Sequence, residues 1–180
     1  EITYLLAAKY FMDKHYTFIY GDHHTPSQHY SAWLGHLKEK FQRLAALGLD
    51  PEISSPGYIS LTLESVFNIY DLTNDPELKR LAGNYISLYL ADAGCESFNG
   101  IRGGAKTRCY KGDSAYDGKR DYLQWWTHVL VNDPISTPTG GVVTRTVIGT
   151  CMSEYVLPEV IKNLIINIKD RSFSHVSRRF

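Results

Sequence analysis

The chain has no excess of charge of either sign, since nineteen Lys and Arg balance nineteen Asp and Glu. A nucleic-acid or acidic-membrane partner gains no support from the overall field, and any anion site must be local. Cysteine is scarce: Cys95, Cys109 and Cys151 are odd in number and show no CxxC spacing. That excludes a zinc ribbon and a complete disulfide framework, because one bridge with a thiol left over is the most that three allow. No apolar run approaches the roughly 20 residues needed to cross a bilayer, and the N-terminus lacks the basic-then-apolar order of a signal peptide. There is no initial Met either. The chain opens at Glu1 on a helical pattern and closes at Arg178, Arg179 and Phe180 just after an apolar run, so the expectation is a piece of a longer or processed protein.

What is present reads as globular. With 180 residues, 43% of them hydrophobic and 21% charged, the chain can bury a core, and one helical domain over 1–180 is expected. Thirteen Tyr and three Trp are many for this length. Such amphipathic rings serve helix packing first, and also surfaces on which sugars stack.

Helical periodicity dominates the pattern. Tyr4, Leu5, Ala8, Phe11, Met12 and His15 mark a first helix over 2–16. Thr25 is placed to cap the next one, with Pro26 at its first position and Gly48 at its end. Tyr30, Trp33, Leu34, Leu37, Phe41, Leu44 and Ala45 form its stripe. A third helix begins near Pro56, and its apolar residues from Ile59 to Leu72 surround it on nearly every side, so strong burial is expected. Asp75, Pro76 and Glu77 announce the fourth, which runs to about Gly94 with Leu78, Leu81, Ala82, Tyr85, Leu88 and Tyr89 as its stripe. A fifth follows from Tyr122 to Leu130. The run from Val142 to Ile148 is β-branched in character, and Pro158 to Asn167 keeps a helical period. Helix pairs with short links imply a mainly α fold of antiparallel pairs.

The stretch from Glu96 to Tyr110 interrupts this pattern, and 96–119 is expected to be a long functional loop. Gly100, Gly103, Gly104 and Ala105 allow close backbone approach, while Arg102, Lys106 and Arg108 favour an anionic ligand. Gly100 to Thr107 has phosphate-loop spacing, but Ala105 replaces a required glycine and a long helix, not a strand, precedes it. His23, His24 and His29 with Asp22 carry metal-ligand chemistry in a spacing that matches no compact motif, so no cofactor is expected. His29, one turn into a helix, is placed for acid–base work or substrate contact; a packed or capping histidine is the plainer reading. Tyr58 starts a buried helix just after Glu52, where a phenol can also serve structure alone.

Glu52 to Tyr58, Asn68 to Ala82 and Asn99 to Tyr110 together resemble large secreted proteins with an (α/α) toroid, related in architecture to heparinase II/III-type polysaccharide lyases. The resemblance covers roughly Thr25 to Tyr110. It implies part of a larger toroid, a secreted or periplasmic location and β-elimination at a uronate of an anionic polysaccharide. In such lyases a β-sandwich follows the helices, and its lack here is read as truncation. The reaction needs a group to stabilise charge on the uronate carboxylate and another to move the proton. Asn99 and Arg102 suit the first task, and Tyr58, Tyr110 or His29 the second. Lys106, Arg108, Glu52 and Trp33 are the substrate-binding candidates. Glycoside hydrolysis, with Glu52 paired to Asp22 or Glu96, is a second enzymatic reading. From another class comes a glycan-binding or self-assembling helical module without catalysis, whose exposed apolar faces would favour a homo-oligomer.

Overall fold

Capping chemistry sets the helix boundaries in the computed structural model, which describes residues 1–48, 55, 57–98, 101–102, 122–131 and 145–166. Helix α1 spans Ile2–Asp13, and α2 spans Pro26–Leu47. Thr25 caps α2 through a reciprocal arrangement: its hydroxyl accepts the Gln28 N–H, and the Gln28 side chain accepts the Thr25 N–H. Gly48 ends the helix at φ 120°, a conformation open to glycine. Glu1 pairs with His36 and Lys40, and Tyr4 stacks on Trp33, so α1 and α2 run antiparallel.

Helix α3 spans Tyr58–Leu72 and α4 spans Pro76–Glu96. The link between them is short. Asp75 closes it by accepting the Leu78 N–H at 2.7 Å while Lys38 of α2 binds its other oxygen at 2.9 Å. Two-residue strands β1, Ser97–Phe98, and β2, Ile101–Arg102, pair antiparallel, with Ser97 opposite Arg102 and Phe98 opposite Ile101. Helices α5, Tyr122–Val131, α6, Arg145–Met152, and α7, Glu159–Ile166, complete the described elements. The architecture is mainly α. None of the described helices is long and apolar enough to cross a membrane.

The core centres on α3 and α4, which pack on each other; α2 and α7 lie against α4, and α6 and α5 against α3. Leu63, Ile69, Leu78, Ile86 and Leu90 are fully buried there. Sequence expectation needs three corrections. Helix α1 stops at Asp13, short of Tyr16, because His15 turns left-handed at φ 57°. Helix α3 is not covered all round, since Leu61 and Leu72 are exposed. Thr144 lies outside the described residues, but from Arg145 the β-branched run is helical in α6, held by packing on α3 and α5.

Gly94 is a tight spot. A Cβ there would lie 2.8 Å from Ile165 Cγ1 and 3.8 Å from the Ile165 backbone. Gly94→Ala gains about 1 kcal/mol of helix propensity but forces α7 outward at an overpacking cost of about 1–3 kcal/mol. The expected result is a net loss of stability, read as a lower urea midpoint, with Gly94→Val losing more.

Candidate functional site

The turn before α2 brings three donor groups together. Its backbone is fixed by two bonds: the Tyr20 N–H donates to the His24 carbonyl, and the His23 N–H donates to the Tyr20 carbonyl, both at 2.9 Å. His23 sits at φ 67°, a left-handed conformation uncommon for a residue with a Cβ. That kink carries the chain back, so that Asp22 Oδ1 accepts the His24 N–H at 3.2 Å. Thr25 then starts α2 and places His29 at the fourth helical position.

The result is a cluster of Asp22, His24 and His29 whose donor atoms all lie within 4.8 Å of one another. His29 Nε2 is 3.1 Å from Asp22 Oδ2 and 3.2 Å from Oδ1, and His24 Nδ1 is 3.6 Å from Oδ1. Partial desolvation pushes the Asp22 carboxyl up, but the His24 N–H and the His29 ring outweigh it and hold the group below its ordinary value. Asp22 is thus an ionised acceptor. A carboxylate cannot donate, so His29 places its ring proton on Nε2 when it bonds to Asp22. The Tyr20 ring meets His29 edge-on at 4.6 Å and steadies the imidazole.

Asp22, His24 and His29 line a cleft of about 270 Å³ with Gln28, Ala32 and Trp33. Trp33 is half-buried and stacks on Tyr4 at 5.3 Å with planes 12° apart. A row of ring contacts continues from His29 through Tyr20, Phe18 and Phe11 to Tyr16 and Tyr10, and Tyr10, Tyr16 and Phe18 are exposed. A larger cleft of about 340 Å³ lies between α1, α2 and α3. It is lined mainly by aliphatic and hydroxyl groups around the Glu1–Lys40 pair, so it gathers less chemistry than the smaller one.

Of the residues singled out in the sequence, the structure brings His29 and Trp33 into one cleft. Tyr58 is elsewhere, at the start of α3, where its backbone N–H donates to the Ser55 hydroxyl at 3.2 Å. Arg102 ends β2 and pairs through its backbone with Ser97. Glu52, Asn99, Lys106, Arg108 and Tyr110 lie outside the described residues. Of the suggested ligands, Asp22, His24 and His29 converge and His23 does not join them. Glu96 belongs to α4 and not to the loop. Sequence reasoning gave no site role to Tyr20 and Gln28. The available signal was the Thr25–Gln28 capping pair, which fixes where the first turn of α2 faces. No family model, curated protein or solved structure matches the chain.

Proposed function

We propose that the protein is a helical module that binds anionic polysaccharide at the α1–α2 end, with the two helix pairs as successive pairs of an (α/α) toroid. One observation carries the reading: exposed rings run along α1 and its connector into a cleft that ends on Trp33 and His29. Rings with one free face suit the apolar faces of sugars, and contiguous exposed aromatic surface marks interaction sites. Gln28 and the Asp22–His29 pair supply hydrogen-bonding groups beside the rings. The positive charge for a uronate rests on Arg102, Lys106 and Arg108, by residue type alone.

Binding is favoured over catalysis because the described residues lining the cleft include a held imidazole but no ammonium or guanidinium to stabilise a developing carboxylate charge. The test is affinity electrophoresis through uronate polysaccharides, with absorbance of unsaturated product followed in parallel. Retention is expected without a rise in absorbance, and Trp33→Ala should weaken it about tenfold, the worth of one good ring contact. An absorbance rise lost in Arg102→Ala would replace this reading with a lyase. A dimer that dissociates on Tyr16→Ser and Phe18→Ser, with no retention on any glycan, would replace it with self-assembly.

A further inference from the structure

The geometry points to a divalent transition-metal site, zinc by donor type, at Asp22, His24 and His29. Zinc bonds of 2.0–2.1 Å in a tetrahedron set neighbouring donors about 3.3 Å apart. His29 Nε2 and His24 Nδ1 lie 3.2 and 3.6 Å from one and the same Asp22 oxygen, Oδ1, and all three donors fall within 4.8 Å. One carboxylate and two imidazoles form a donor set that zinc accepts, with the fourth position left to water.

Preorganisation strengthens the inference. Two of the three ligands sit on a turn whose backbone is tied at Tyr20, His23 and His24, and the third stands on the first turn of a capped helix. The left-handed His23 is the residue that aims His24 back at Asp22. Tyr20 packs on the His29 ring and fixes its plane. A zinc ion here would be held by His29 through Nε2, with the ring's one proton on Nδ1. With Asp22 and His24 about half exposed, the ion exchanges with solvent and is not needed for folding.

This proposal does not depend on glycan binding, because its probe is zinc alone. The full chain is stripped with a chelator and dialysed against Zn²⁺, and cobalt(II) is then added to report coordination by its visible absorption. The expected result is one equivalent of zinc and the intense bands of four-coordinate cobalt, with unchanged helical circular dichroism before and after stripping. His24→Ala and Asp22→Asn leave the helices intact, since His24 is exposed and Asn still accepts the His24 N–H. Each should weaken zinc binding by more than about tenfold, the lower bound for disturbing even a supporting group. His36→Ala, which removes an imidazole outside the cluster, should bind zinc as the unmodified chain does. Zinc retention that is equal in the unmodified chain and the Asp22→Asn/His24→Ala double variant, or a folded chain that retains no zinc, overturns the proposal.

Discussion

Trp126→Ala is expected to cost about 3–5 kcal/mol, enough to consume much of the stability of an ordinary domain. Trp126 is fully buried, and its ring lies 4.7 Å from Phe67 with the planes 33° apart. Phe67 in turn meets Tyr155 edge-on at 5.5 Å, and Tyr155 meets Tyr70 at 5.6 Å. The indole is therefore the α5 end of a stack of rings that joins α5, α3 and the segment before α7. Removing it leaves a cavity that rigid aromatic neighbours cannot fill. Its Nε1 has no acceptor among the described residues, and a buried unpaired N–H costs about 1–3 kcal/mol. Trp126→Phe removes that penalty along with some volume, so it should lose far less than the alanine variant. Urea unfolding followed by circular dichroism checks both, with a common slope showing that stability and not compactness has changed. Equal losses in the two variants would mean that the indole nitrogen is paired and its ring is not the joint.

The pairs of helices were legible in the sequence where their signals are local. Thr25 with Gln28, Gly48, and Asp75 with Pro76 each act within one turn, so the chain need not be folded for them to be read. Long-range packing decided what local pattern missed. Ile86 and Leu90 fall off the stripe expected for α4, yet both are buried because α3, α2 and α7 reach that helix from several sides. Val160 keeps the α7 period and is exposed, because only part of a short helix meets α4. The β-branched residues of α6 show the same override, since propensity is a weak prior against tertiary contact.

At the site, the neighbourhood of His29 and Trp33 follows from four-residue spacing on α2. The meeting of Asp22 with His24 and His29 does not. It depends on the left-handed backbone of His23, which no periodicity encodes for a histidine. Tyr20 likewise reaches His29 through a turn, not along a helix face. The functional weight placed on the 96–119 loop falls mostly on residues outside those described, while the described chemistry gathers where a connector that reads as solvated, with Asp22 and His24, meets the first turns of α2, with His29 and Trp33.

Asp75→Ala is expected to lose about 2 kcal/mol, because one carboxylate does two jobs at the start of α4. Oδ1 satisfies the Leu78 N–H, a cap worth about 1–2 kcal/mol, and Oδ2 holds Lys38 of α2. Lys38 keeps Glu77 at 2.9 Å, so the ion pair is only partly lost. Asp75→Asn separates the two roles: asparagine is an equally good cap, and only the charge goes, at a cost of about 0.3–1 kcal/mol near a helix N-terminus. Acid titration supplies the sign. Desolvation raises the Asp75 carboxyl, but Lys38 and the Leu78 N–H outweigh it and hold the group below its ordinary 3.8. A carboxylate depressed on folding contributes fully above its unfolded value, and the contribution fades as pH falls through the lower folded one. The stability gap between the unmodified chain and Asp75→Asn should therefore be constant near neutrality and close below about pH 4. High salt should narrow it near neutrality, where the carboxylate is charged, by screening the partly buried pair. A gap that persists in strong acid would show that Asp75 acts through shape alone, and the tie that holds the site-bearing α1–α2 hairpin to the α3–α4 core would then have to lie in the packing of Leu37 and Phe41.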